Sequence, residues 1–194
     1  RPGAPLPAGY GDDDGCQLID EIPRGALRRT QIEKLLAGTG PYAVVEVTAA
    51  ELRAALELGV SHLAGPDSVE PSPAFLQVSH LQFSVDCRRD AHLDGQPGGR
   101  IADLMWIDSA GTPQPVLDNA PGTGELLHYR VATSSYVAGG GDGMTALNHP
   151  VPITNLDETI AAFLDFVARA PDGHVEPAVD GRITLDGSCW ARLP

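Results

Sequence analysis

Residues 129–143 read YRVATSSYVAGGGDG and hold the most informative pattern in this sequence. β-favouring residues from Leu126 to Val137 predict a strand. The triplet Gly139-Gly140-Gly141 must end that strand, because three consecutive glycines do not form an ordinary strand interior. Glycines in succession permit positive φ angles and let backbone N–H groups approach a ligand closely. The pattern therefore predicts a strand that runs into a tight glycine-rich loop, which is either a plain turn or part of a binding site.

Two side chains beside this loop have the chemistry of a nucleoside site. Tyr136 is expected at the end of the strand, and Asp142 follows the glycines. An aromatic ring can stack on a base, and a carboxylate accepts hydrogen bonds from hydroxyl or amino groups. Tyr136, Gly140, Gly141 and Asp142 are therefore the first candidate substrate-binding residues.

Two helix starts upstream carry a capping-box pattern, in which Thr caps the helix and Glu three residues later reaches back. The pairs are Thr30 with Glu33 and Thr48 with Glu51. They predict helices over residues 31–36 and 49–58, with a buried strand over residues 42–47 between them. The second helix has an apolar stripe that requires a sheet to cover.

The remaining elements are mostly strands. A broken apolar alternation predicts one or two strands over residues 76–85, and residues 101–107 and 112–116 predict a hairpin. Asn155 with Glu158 predicts a helix as far as about Ala170, and a short strand is expected over residues 182–185. Because strands and helices do not alternate regularly, the pattern favours a single α+β domain with a mixed β-sheet and packed helices. We place this domain at residues 16–194, after a Pro- and Gly-rich linker or boundary segment at residues 1–15.

Composition excludes several classes of protein. The formal net charge is −13 over 194 residues, which argues against a nucleic acid polymer as partner, because such partners are held by clustered Lys and Arg. No apolar run reaches the roughly 18 residues of a membrane span. The cysteines Cys16, Cys87 and Cys189 lie too far apart to suggest a zinc site. They allow at most one intrachain disulfide, and the pairing stays open.

No set of catalytic or metal-binding residues stands out. Asp90-Ala91-His92 has the Asp-x-His form that often opens a binuclear phosphoesterase site, and Asn148-His149 has a similar Asn-His element, but neither is followed by further ligands. The acidic cluster of residues 11–15 lacks the alternating ligands of a calcium loop. Ser134 and Ser135 lack a Gly-x-Ser-x-Gly elbow and are expected in the strand. A metal hydrolase that uses Asp90 and His92 is retained only as an alternative.

The segment Tyr129–Gly143 resembles the closing motif of the carboxy-terminal domain of the 5'-nucleotidase family. That motif consists of a Tyr-Arg-Val-Ala-Thr strand, a short link with an aromatic residue, and Gly-Gly-Asp-Gly. Other segments are similar to family elements in the same order, and together they cover residues 22–185. These are Val45–Thr48 with the helix that follows, Phe75–Phe83, and Asn155–Ala170.

The resemblance implies a substrate-recognition domain. Members of the family hydrolyse nucleotides and related phosphoesters outside the cytoplasm, with two metals in a separate amino-terminal domain. Their carboxy-terminal domain commonly binds the base between two aromatic rings. Tyr136 takes the place of one ring and Asp142 that of the acidic residue. The implied protein is secreted, periplasmic or in the cell envelope. The implied chain is inactive without its metallophosphatase domain and holds no cofactor of its own.

Two departures from the family pattern leave a second interpretation open. The family's Pro-Phe-x-Asn, which supplies the other ring, falls on Ala37-Gly38-Thr39-Gly40, and its Ile-Arg pair falls near Leu18-Ile19. Tyr42 can supply the second ring only if the register shifts by four residues. A module that keeps the fold but has lost ligand binding is therefore the alternative to nucleoside recognition.

Overall fold

The computed structural model describes residues 28–36, 41–63, 74–92, 96–150, 155–175, 179–186 and 189. The chain divides into two compact units, Arg1–Thr39 and Gly40–Pro194. Several sequence predictions lie outside the described residues: the linker at 1–15 with its acidic cluster, Cys16, Leu18-Ile19 and the segment 37–40. None of the helices in the described ranges combines the length and apolar character of a transmembrane span.

The described part of the first unit is helix α1, Arg29–Leu36. The prediction that Thr30 caps this helix was wrong, because Thr30 lies inside it. Gln31 reaches back instead, and its Oε1 accepts a hydrogen bond from the backbone N–H of Arg28 at 2.8 Å. Gln31 stands at the position where a capping box has Glu or Gln, so the helix starts earlier than Thr30 suggests.

The described part of the second unit contains six strands in two sheets together with three α-helices. The strands are β1 (Tyr42–Thr48), β2 (Leu81–Val85), β3 (Ile101–Ile107), β4 (Pro113–Pro115), β5 (His128–Ser134) and β6 (Ile183–Leu185), and the helices are α2 (Ala49–Val60), α3 (Ser135–Ala138) and α4 (Leu156–Arg169). β1 pairs with β5 in an antiparallel two-stranded sheet, and the second sheet has the order β4-β3-β2-β6. β2 and β6 run parallel while the other pairs are antiparallel. The predicted α+β fold with a mixed sheet is confirmed.

Two strand predictions were too long by several residues. β2 begins at Leu81, because His80 has a left-handed φ of 57° that cannot continue a strand. β5 ends at Ser134, and Ser135 lies in α3 instead of the strand. The Ser134 side chain accepts a hydrogen bond from Val137 N at 3.2 Å and so caps the short helix.

The core lies between β1, α2 and the loop after α3. Ala43, Val45 and Val47 alternate along β1 and are at most 1% exposed. The predicted capping box of α2 is confirmed: Thr48 N donates to Glu51 Oε2 at 2.8 Å, and Glu51 N donates to Thr48 Oγ1 at 3.2 Å. The box fixes the turn from β1 into α2, so the apolar stripe of α2 faces the core.

A buried polar network joins the end of α2 to the start of β3. Glu57 and Arg100 are 2% and 6% exposed. The two carboxylate oxygens of Glu57 accept from Arg100 N at 3.0 Å and from Ile101 N at 2.8 Å. The Arg100 guanidinium donates to carbonyl oxygens at the end of α2 and just beyond it: Val60 and Ser61 at 3.0 Å and Leu63 at 2.6 Å. Arg100 therefore satisfies the carbonyls that a helix C-terminus leaves without partners.

One disulfide is present, between Cys87 and Cys189, which are 102 residues apart in the sequence. It joins the segment after β2 to the segment after β6. Because β2 and β6 are neighbouring strands, the disulfide links two segments whose preceding strands are already paired in the sheet.

Candidate functional site

The candidate site lies at one end of the β1–β5 pair. Tyr42, the first residue of β1, stands opposite Ser134, the last residue of β5. The carbonyl of Pro41 accepts a hydrogen bond from Ser135 N at 2.8 Å and extends this pairing by one step. Tyr136 follows in α3. The backbones of Tyr42 and Tyr136 therefore meet at the same end of the sheet, although they are far apart in sequence.

Tyr42 lies on the outer face of β1. The residues that alternate with it, Ala43 and Val45, are buried, whereas Tyr42 is half-buried. Successive side chains on a strand point to opposite faces, so Tyr42 is directed away from the core. This position is compatible with a second aromatic wall for the site.

The ring of Tyr136 lies over the backbone of Gly141. A Cβ atom placed at Gly141 would lie 2.4 Å from Cε1 of that ring and 2.5 Å from Cδ1 and Cζ. A point nearly equidistant from three consecutive ring atoms lies over the face of the ring, not at its edge. Glycine is therefore required at this position, and one face of the ring is covered by the loop. The residue as a whole remains 60% exposed.

Asp142 is hydrogen-bonded to the same tyrosine. The Tyr136 hydroxyl donates to Asp142 Oδ1 at 2.9 Å and accepts from Asp142 N at 3.2 Å. Asp142 itself adopts a left-handed φ of 52°, which Asp tolerates better than most residues. Tyr136, Gly141 and Asp142 thus form one unit, which we call the tyrosine platform.

Buried residues anchor the loop that carries Gly141 and Asp142 to the core. Met144 and Leu147 are 1% and 2% exposed and fix the loop to the core. Gly143 approaches Leu58 of α2, since a Cβ placed there would lie 3.6 Å from Leu58 Cδ2. The buried anchors hold the loop in place, so the platform does not depend on a ligand for its shape.

His149 ends this loop and pairs with the start of α2. Its Nε2 lies 3.5 Å from Glu51 Oε1. The pKa of the Glu51 carboxyl is lowered, first by the backbone N–H of Thr48 and further by nearby His149 and His128. His149 of the Asn148-His149 element therefore links the loop to the start of α2.

The candidate metal ligands are not gathered into a site. Asp90 is exposed, and its backbone carbonyl accepts from Gly99 N at 3.0 Å. His92 has a buried Nδ1 atom without a hydrogen-bond partner. Among the residues that the structure describes, no group of three or more His, Cys, Asp or Glu side chains could hold a metal ion.

A separate cleft of about 1110 Å³ lies beside β5. Apolar side chains of α2, among them Leu52 and Leu56, line it together with β5 residues 128–133 and with Trp106. None of the predicted site residues lines this cleft. The cleft and the tyrosine platform are therefore distinct features of the second unit.

Sequence reasoning identified Tyr136 and Asp142 but missed how they are joined. It considered the glycines for a tight turn or for ligand approach and did not foresee that Gly141 also lies under the tyrosine ring. It also overlooked the phenol hydroxyl as a partner of the carboxylate. A signal for this contact was present in the sequence. A tyrosine at a strand end and a carboxylate after the loop are separated by glycines, which leave room for the ring to lie over the loop.

Comparison with known proteins identifies related sequences and structures. The family model described as "5'-nucleotidase, C-terminal domain" matches residues 15–149. A 5'-nucleotidase of Diplobatis ommata is 30% identical over 169 residues, which make up 85% of this chain and 26% of that protein. The crystal structure of a 5'-nucleotidase precursor from Thermus thermophilus has a TM-score of 0.62 at 25% identity, over 86% of this chain and 29% of that one. The Haemophilus influenzae NAD nucleotidase has the same fold, with a TM-score of 0.59 at 15% identity over 82% of this chain and 26% of that one.

Fold and site together define a carboxy-terminal domain of the nucleotidase type. The chain belongs to the 5'-nucleotidase family, by the carboxy-terminal-domain model that matches most of its length. The resemblance seen in the segment Tyr129–Gly143 is thereby confirmed. The chain spans about a quarter of the length of the curated relatives it matches.

Proposed function

We propose that this domain recognises the nucleoside part of nucleotides for a 5'-nucleotidase-type phosphoesterase. The observation that carries the proposal is the tyrosine platform, in which an exposed ring is backed by Gly141 and bordered by the carboxylate of Asp142. Family membership supports the same function. The proposed ligand is a nucleoside or nucleotide, and Tyr136, Gly140, Gly141, Asp142 and Tyr42 are its proposed contacts.

The physical basis is stacking on a surface that is already in place. Stacking of a base on an aromatic side chain contributes about 1–3 kcal/mol per base. Because Gly141 already supports one face of the Tyr136 ring, the ring is held in place before a ligand stacks on its other face. Preorganisation of this kind lowers the entropic cost of binding. Tyr42, at the same end of the sheet, is the proposed second aromatic contact.

The catalytic part of the reaction is proposed to lie in another domain. Metal-assisted hydrolysis needs a set of ligands that holds one or two ions and activates water. In the proposed protein, divalent metals are bound by an amino-terminal metallophosphatase domain, as the family relationship suggests. This chain then supplies binding and orientation of the substrate, and it does not release phosphate on its own.

The proposed setting is outside the cytoplasm. Structural disulfides persist in secreted, periplasmic and cell-surface proteins and are rare in the reducing cytosol. The bond between Cys87 and Cys189 therefore supports an extracytoplasmic location.

Calorimetry with nucleosides and nucleotides tests the proposal directly. We expect saturable binding by the chain, weakened about tenfold or more in Tyr136→Ala, because the stacking surface is lost. A phosphate-release assay with added divalent metal should show no turnover. Binding weaker than millimolar for every nucleoside would instead favour a module that has lost its ligand, and robust turnover by the chain alone would contradict the assignment of catalysis to another domain.

A further inference from the structure

The Tyr136 hydroxyl makes two hydrogen bonds, and both are with Asp142. Its single proton is donated to Asp142 Oδ1, and one of its lone pairs accepts from Asp142 N. A phenol has one donor and cannot offer a second hydrogen to a ligand. Toward a ligand, the tyrosine therefore presents its ring and no hydrogen-bond donor.

The two carboxylate oxygens of Asp142 differ in their hydrogen bonding. Oδ1 accepts from the tyrosine, whereas Oδ2 has no hydrogen-bond partner among the described residues, and the side chain is exposed. With one oxygen held, the carboxylate no longer rotates freely. Oδ2 is left as an acceptor beside the exposed ring.

We propose that the Tyr136 hydroxyl is a positioning group that aims Asp142 Oδ2 at a hydrogen-bond donor of the bound nucleoside. The inference rests on the proposed function and adds a second role for Tyr136, which is separate from stacking. The ring contacts the base, while the hydroxyl acts through Asp142. The pair accepts hydrogen bonds and donates none, so the ligand group beside it must be a donor.

Two parts of a nucleoside can supply that donor. The 2′- and 3′-hydroxyls of the ribose, which stay free in a 5′-nucleotide, and the exocyclic amino group of a base all donate to a carboxylate. The shared chemistry is an N–H or O–H group at the edge of a ring stacked on Tyr136. Removing each group in turn distinguishes the two sources.

The hydroxyl can be removed without removing the stacking surface. Tyr136→Phe keeps the ring, and Gly141 still leaves room for it. The lost hydrogen bonds are at an exposed site, so the fold does not depend on them. Tyr129→Phe is the matched control, because the Tyr129 hydroxyl also bonds to one residue twice, to Leu117 O and Leu117 N, each at 2.9 Å.

The test measures the affinity of wild type, Tyr136→Phe and Tyr129→Phe for three ligands. These are adenosine, 2′,3′-dideoxyadenosine and purine riboside, which lacks the amino group. Tyr136→Phe is expected to weaken adenosine binding about tenfold, the usual size of one hydrogen bond to a charged group. The weakening should vanish for whichever analogue lacks the donor, so that its affinity is the same in wild type and Tyr136→Phe. Tyr129→Phe should leave all three affinities unchanged.

Each other outcome has a defined meaning. If wild type binds none of the three ligands, the proposed function and this inference both fail. If wild type binds them and Tyr136→Phe weakens all three equally, or none, nucleoside recognition stands and the positioning role alone is overturned. Asp142→Asn should reproduce the selective loss, since an amide in that place has one acceptor oxygen instead of two.

Discussion

The Glu57–Arg100 network and the tyrosine platform are both joined by hydrogen bonds, but they differ in how completely those bonds are used. Both carboxylate oxygens of Glu57 accept backbone N–H groups, and Arg100 fills three carbonyls of the chain. In the platform, Asp142 retains Oδ2, and Tyr136 is exposed on one face. The network uses its polar groups to stabilise the fold. The platform keeps a carboxylate oxygen that no described residue uses.

This difference follows from burial. A buried charge without full pairing costs several kcal/mol, so the network tolerates no spare acceptor. An exposed carboxylate is solvated by water and can keep an unused lone pair at little cost. Spare hydrogen-bonding capacity beside an exposed ring, and not polarity as such, therefore distinguishes the proposed binding surface from the structural network.

The largest expected effect comes from breaking the buried network. Arg100→Met leaves the Glu57 carboxylate without its nearby cation and removes a charged donor from three carbonyls. Of these, Val60 O keeps the N–H of Leu63. We expect the free energy of unfolding to fall by about 3–5 kcal/mol. Urea unfolding measures it. Arg53→Met is the control, because Arg53 is exposed and makes a single bond to Ile101 O at 3.1 Å. Equal losses in the two variants would contradict the structural role given to Arg100.

The next effect should be on binding instead of stability. Gly141→Ala places a methyl group against the Tyr136 ring and displaces it. We expect nucleoside affinity to fall about tenfold, as for loss of one stacked base, with little change in unfolding free energy. Gly99→Ala is the matched control, since a Cβ there meets nothing within 4 Å. Unchanged affinity in Gly141→Ala would show that the ring position does not matter.

A smaller loss of affinity is expected from Tyr42→Ala. If Tyr42 supplies the second ring, its removal costs about 0.5–1.5 kcal/mol of binding free energy. Val44→Ala serves as the control, because Val44 alternates with the same buried residues on β1 and faces the same side. Calorimetry that finds the two variants equal to wild type would leave Tyr136 as the sole aromatic contact.

The smallest effect concerns a surface ion pair between Arg88 and Asp86 that belongs to neither region. Hydrogen bonds from the Arg88 side chain lower the pKa of Asp86 to about 2, from an ordinary value of 3.8. Because the folded pKa is the lower one, the stabilisation is present above about pH 4 and is lost as pH falls through about 2. Thermal melts between pH 5 and pH 2 should show a shallower decline for Asp86→Asn than for wild type. An identical decline would mean that this surface pair contributes nothing measurable.

The parts of the fold that depend on local rules could be predicted from the sequence. β3 was predicted with the observed ends, Ile101 and Ile107, and both Thr48 and Asn155 cap the helices expected of them. Capping boxes and hairpins involve residues a few positions apart, so their signals are contained in short windows. The cap of α1 was misplaced because Gln31 makes the back-reaching hydrogen bond, to Arg28 N, two residues before the predicted pair.

Features set by distant residues could not be predicted in the same way. The parallel pairing of β2 with β6 and the disulfide between Cys87 and Cys189 join segments about a hundred residues apart. No short window reports such contacts. The end of β5 depended on the carbonyl of Pro41 and the side chain of Ser134, which together replace the last strand residues with a helical turn.

The geometry of the candidate site could be predicted only in part, because some of its contacts join residues that are far apart in sequence. Tyr136 in α3 and Asp142 in the glycine loop that follows stand six residues apart, and their chemistry is visible in the sequence. The contact of Gly141 with the ring, and the position of Tyr42 opposite Ser134, exist only once β1 and β5 are paired. The roles of these residues in binding remain predictions for the experiments above.

The disulfide has a consequence for a chain exposed to proteases. The bond between Cys87 and Cys189 encloses β3, β4, β5 and β6, with the glycine loop and α4, in one covalent ring. A single peptide-bond cleavage anywhere in that ring opens it without separating the pieces. A nicked molecule would therefore migrate as one species without a reducing agent and as two with it, and the loop that carries Tyr136 and Asp142 would stay tethered to the core.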